Sequence, residues 1–203
     1  INRVQGLVNA GVQLDSPVLA AYESWCTASV NDPDPGFWGH WPRYYAEMPV
    51  KQDWVQAAAK RCQTAVVVIG RSAGEDRENT LKKGSFYLTN KEKALLDAVT
   101  TAFQKVVLVL NIGSIMDFAE IDAYGDKISA ILLAWQLGME SGNAVANVLT
   151  GQVNPSGHLT DTIAKTYADY PAQNFGNKAE NHYTEDIFVG YRYFETFAPE
   201  RVL

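Results

Sequence analysis

The sequence predicts an α/β fold: a mainly parallel sheet, expected to hold about five to six strands, with helices on both faces. Three observations carry this. Ala65–Gly70 (AVVVIG) is a continuous apolar, β-branched run, as expected of a strand covered on both faces, and Val106–Asn111 (VVLVLN) and Ala130–Trp135 (AILLAW) read as a second and a third buried strand. Helical periodicity alternates with them. The length of 203 residues, 47% hydrophobic and 20% charged, suffices for a core without disulfide or metal staples.

The elements run in chain order. Val4, Leu7 and Val8 form the apolar face of a short helix that ends at Gly11. Ser16-Pro17 supplies an N-cap and a first-turn proline for a second helix bearing Val18, Leu19 and Tyr22. Residues 31–49 hold four of the eight prolines and are too aromatic for a solvated linker, so an ordered loop is expected. Trp54, Val55, Ala58, Ala59 and Cys62 lie on one face of the next helix, before the first strand. A charged loop then runs to Gly84. Thr89-Asn90-Lys91-Glu92 is a capping box opening a helix with Leu95, Leu96, Val99, Ala102 and Phe103 inward. After the third strand, Ser141–Leu149 is helical and Gly151 stops it. Ile187–Phe194 (IFVGYRYF) reads as a strand-like piece. Residues 1–50 are expected to pack, as helices and aromatic loop, on a domain spanning 51–203.

Composition narrows the function. Seventeen Lys+Arg against 23 Asp+Glu give a net charge of −6, a poor match for nucleic acid. No apolar run approaches the ~20 residues of a spanning helix, so no membrane partner is expected. His40, His158 and His182 are scattered and Cys26 and Cys62 stand alone, so no metal is expected. Neither a dinucleotide glycine fingerprint nor a phosphate loop comes after the first strand, and no cofactor is expected. The chain begins at Ile1, with neither initiator Met nor signal peptide, and reads as a piece of a longer protein.

Sites in open α/β sheets form beyond the carboxyl ends of the strands. The loop after the first strand, Arg71-Ser72-Ala73-Gly74-Glu75-Asp76-Arg77-Glu78, is charged and hinged on glycine. Glu75 or Asp76 could serve there as a general acid/base, with Arg71 or Arg77 orienting it or the substrate. A solvated turn with weak ion pairs is the bland alternative. Trp135, at the end of the third strand, and Trp38, in the aromatic loop, offer flat rings to a planar ligand or sugar; packing is the commoner use of such rings.

The segments AVVVIGRSAGEDRENTLKKGSFYLT, KVVLVLNIGSIMD, AILLAWQLGMESGNAVANVLTGQVNPSGHLTDT and YTEDIFVGYRYF stand in this order. Together they resemble the C-terminal α/β-sandwich domain of glycoside hydrolase family 3, with flavodoxin-like layering. The resemblance covers about residues 45–203 and implies a retaining exo-β-glycosidase, β-glucosidase-like, acting on terminal sugars of a glycoside or oligosaccharide. It makes Glu75 the acid/base, in a GE motif, with Asp76 as fallback; Arg71, Trp135 and Trp38 are the substrate-binding candidates that the residue reading adds. It places the Asp nucleophile in a barrel domain outside these residues. Asp53-Trp54, the only Asp-Trp pair, lies in a helix and is read as coincidence. The isolated chain is therefore expected to be inactive. A non-catalytic carbohydrate-binding or domain-docking module is the alternative.

Overall fold

The computed structural model describes residues 1–28, 42–73, 79–173, 179–180 and 182–203. These divide into two compact units, Ile1–Ser114 with Tyr124–Ser156, and Ile115–Ala123 with Gly157–Leu203.

The first unit is built on a three-stranded parallel sheet, β1 (Thr64–Gly70), β2 (Lys105–Asn111) and β3 (Ala130–Leu133), in that spatial order. Among the described residues these are the only strands of the sheet, fewer than the five to six expected. The apolar pieces later in the chain than β3 are short and interrupted by glycine and proline, and they add no strand. β2 is the central strand, and Val106, Leu108, Val109 and Leu110 are fully buried. β1 is buried on one face only. Val67 and Ile69 are buried, whereas Val66 and Val68 remain 40% and 39% exposed. Val68 pairs with Val109, whose face is covered by Val145 and Leu149 of α6 (Ser141–Leu149). That helix lies over β2 and β3, so an apolar run that reads as doubly covered is half open.

Helix α4 (Asn90–Ala102) begins as expected. Thr89 Oγ1 accepts from Glu92 N at 3.1 Å, and Glu92 Oε2 accepts from Thr89 N at 2.7 Å. It packs on β1, β2 and α3 (Gln52–Ala59). Helix α2 (Ser16–Thr27) is capped one residue earlier than its sequence suggests: Asp15 Oδ1 accepts from Val18 N at 3.0 Å, leaving Ser16 and Pro17 within the first turn. A carboxylate held by Arg61 at 2.6 Å outcompetes the serine hydroxyl.

Helix α1 (Arg3–Asn9) crosses α6 at backbone contact. A Cβ on Gly6 would fall onto the Gly142 carbonyl, and one on Gly142 onto the Asn2 carbonyl. Gly142 N donates to Ile1 O at 3.0 Å, and the amino terminus donates to Met139 O at 2.6 Å. These bonds lay the start of α1 along the loop after β3.

In the second unit, α5 (Ala119–Asp122) is a single turn. Phe194, Ala164 and Ala198 form a core with Tyr170, Tyr193 and Val202 around them. The expected strand-like piece at 187–194 is absent. Residues 184–187 form a turn, with Asp186 at φ +49, and Gly190 at φ +59 precedes α7 (Tyr191–Phe197). Phe194 and Ala198, four apart, then share the buried face, a helical spacing hidden in a run of aromatics.

Candidate active site at the carboxyl ends of the strands

Gly70 at the end of β1 pairs with Asn111 at the end of β2, and Arg71 N donates to Asn111 O at 3.0 Å. The chain after each strand is held close to its neighbours. A Cβ on Gly113 would strike the Ala73 methyl and the Gln136 amide, and Gln136 Nε2 donates to Ala73 O at 3.4 Å. Ser72 N donates to Arg43 O at 2.7 Å. On the far side of the acidic loop, Ser85 Oγ donates to Asn79 Oδ1 at 3.2 Å and accepts from Thr80 N at 3.0 Å. The two ends of the segment that carries Glu75 are thus each fastened.

Glu75, Asp76 and Trp38 themselves lie outside the described residues. β3 stops at Leu133, short of the expected end at Trp135, which is half-buried two residues further on with φ +53. A left-handed backbone at a bulky residue is strained, and such strain persists where the surroundings impose it. Nothing in an aromatic residue signals this in the sequence. Asp53 sits in the first turn of α3, where its carboxylate accepts from Trp54 N at 2.9 Å, a helix-start role.

Arg71 corrects an expectation. It is 6% exposed, and all five guanidinium N–H groups are engaged within the protein. Nη1 and Nη2 clasp Glu92 at 2.6 and 2.8 Å, and the remaining bonds go to the carbonyls of Gly70, Ser85 and Tyr87. No donor is left for a substrate. The residue ties the end of β1 to the start of α4, and the Tyr44 ring lies 5.8 Å over it. Glu92, read from sequence as a cap alone, is its counterion.

A cavity of about 280 Å³ opens beside these strand ends. Its aromatic walls include Trp25, Tyr44 and Tyr45, and its polar groups include Ser72, Asn111 and Glu47. Aromatic walls with a few converging polar groups are the usual make-up of a small-ligand site. Glu47 Oε1 accepts from Tyr22 Oη and from Met48 N, both at 2.8 Å. Burial raises the Glu47 carboxyl above the usual range against these two bonds, with Glu92 adding a smaller push in the same direction. Burial, then Glu47 itself, drives the Tyr22 hydroxyl far above its ordinary value. Among the described residues no group of three or more His, Cys, Asp or Glu side chains could hold a metal ion.

The raised Glu47 carboxyl has a consequence for stability. The folded state keeps a proton that the unfolded chain releases at ordinary carboxylate pH. Stability from this group is complete at low pH and is lost as pH rises through the folded-state value. Gln keeps an oxygen for Tyr22 and Met48 but carries no charge. Glu47→Gln should therefore raise the thermal midpoint at about pH 8 and change it little at about pH 4. Equal shifts at both pH values would rule out a titrating Glu47.

A parallel sheet with an aromatic-walled cavity beside the carboxyl ends of β1 and β2 defines the α/β class of this domain. The chain belongs to the glycosyl hydrolases of family 3: the pattern of their C-terminal domain matches residues 5–191. It is 45% identical over 198 residues to a β-glucosidase of Ruminococcus albus, covering 97% of this chain and 21% of that protein. A β-glucosidase structure from Paenibacillus barengoltzii superposes with a TM-score of 0.94 at 40% identity, covering 100% of this chain and 22% of that one. β-Glucosidase 3B from Thermotoga neapolitana, solved with glucose, gives 0.83 at 32%, covering 97% and 28%. The chain therefore spans about a fifth of the curated relatives it matches, at 21% and 22% of their length.

Proposed function

We propose that this chain is the acid/base-bearing domain of a retaining exo-β-glycosidase, β-glucosidase-like, that removes terminal β-linked sugars. The observation that carries the reading is the fastening of both ends of the Glu75 segment at the carboxyl edge of the sheet. A proton donor must return to the same place in every turnover, and clamped loop ends limit where it can go. Retaining hydrolysis needs two carboxyl groups about 5 Å apart, one protonating the leaving oxygen while the other attacks the anomeric carbon. Glu75 is the first of these, with Asp76 as fallback. The second, an Asp nucleophile, comes from a barrel domain elsewhere in the parent chain.

Trp135, and Trp38 from the aromatic loop, offer their rings to the sugar. Arg71 acts as a positioning residue, through Glu92 and the carbonyls it binds. The expected result is that the 203-residue chain alone shows no turnover of an aryl β-glucoside, while the parent protein hydrolyses it with retention. Hydrolysis by the chain alone would place both carboxylates within it. An inactive parent that still binds sugar would favour a carbohydrate-binding module.

A further inference from the structure

Arg3, at the start of α1, donates through Nη2 to the side-chain oxygen of Asn111. A guanidinium cannot accept, so the amide atom facing it must be oxygen, and this fixes which way Asn111 points. Its Nδ2 is thereby turned away from Arg3. Among the described residues nothing accepts from that nitrogen, and it is not sealed from solvent. The main chain of Asn111 is equally constrained, paired with Gly70 and bonded to Arg71 N. Asn111 lines the aromatic-walled cavity beside Ser72. The arrangement is costly for Arg3, whose Nε is buried with no acceptor.

We infer that Asn111, oriented by Arg3, is a binding residue that donates from Nδ2 to a hydroxyl oxygen of the sugar in this cavity. The inference rests on the glycosidase reading above and names a specificity contact within it. The amide oxygen is committed to Arg3 before ligand arrives, which leaves Nδ2 as the donor still to be used. A donor held this way discriminates between sugars that present a hydroxyl there and those that do not, because a buried N–H without a partner is costly.

The test uses the parent enzyme with Asn111→Asp. Aspartate keeps an oxygen for Arg3 but offers no N–H. KM for the aryl β-glucoside should rise on the order of three- to tenfold with kcat nearly unchanged, the worth of one neutral hydrogen bond. Among singly deoxygenated glucosides, one should bind the wild type correspondingly weakly, and the variant should be indifferent to that same position. Arg3→Met should give a smaller rise in KM, restored by Arg3→Lys. Calorimetric binding of free glucose to the wild type and Asn111→Asp reads the same contact without turnover. Unchanged KM and glucose affinity in Asn111→Asp would overturn the inference, as would an equal loss for every deoxy position. Absence of turnover in the wild type, with glucose affinity still dependent on Asn111, would overturn the glycosidase reading alone.

Discussion

Glu75→Ala in the parent enzyme should lower kcat/KM for an unactivated glycoside roughly 100- to 10,000-fold, the usual worth of a positioned proton donor. An aryl glycoside with a good leaving group needs little protonation, so its glycosyl-enzyme should still form and then stall. Hydrolysis of that intermediate requires the same residue to take a proton from water. Azide needs no such base. Added azide should attack the anomeric carbon, displace the nucleophile's carboxylate and release a β-glycosyl azide at a restored rate. The basic limb of the pH–rate profile should disappear together with the acid. Full activity in Glu75→Ala, with the loss appearing in Asp76→Ala instead, would move the role one residue along the loop. Measuring rates on good and poor leaving groups separates a proton donor from a residue that merely holds the loop, since a structural defect would slow both alike.

How far this site could be read in the sequence depended on the range of each interaction. The Thr89–Glu92 capping box is local, and both of its reciprocal bonds form as the spacing demands. β2 was equally legible, because a central strand needs only an unbroken apolar run. The same signal misled at β1, where Val66 and Val68 are apolar yet half open. Periodicity states what a side chain prefers and not which helix reaches it. The helix over 191–197 was concealed because a run of aromatics satisfies period two and period 3.6 together. Position puts Arg71 at a strand end but does not reveal its partner, since Glu92 lies 21 positions away and its spacing from Thr89 signals only a cap. The Arg3 bond to Asn111 spans 108 positions and has no local signature. Nor does a pattern of residue types foretell that Trp135 takes a positive φ.

The second large effect should come from the Arg71–Glu92 pair. Both side chains are almost wholly buried, 4% and 5% exposed, and the bond is bidentate. Removing one partner of such a pair strands the other charge, which costs about 3–5 kcal/mol. Arg71→Met should therefore lower the urea midpoint sharply, leaving Glu92 with little beyond Thr89 N to satisfy it. Arg71→Lys should recover only part of the loss, because one ammonium cannot reach both carboxylate oxygens and the carbonyls of Gly70, Ser85 and Tyr87. Joining Arg71→Met with Glu92→Leu removes both charges. The double variant should be no less stable than the weaker single one, apart from about 1 kcal/mol for the lost cap. Activity separates this anchoring role from direct substrate contact. Arg71 lies immediately before the segment that holds Glu75, so an anchoring role predicts that kcat falls, even well below the unfolding midpoint, because the proton donor is no longer held in register. A raised KM with unchanged kcat and unchanged stability in Arg71→Met would instead return this arginine to the substrate.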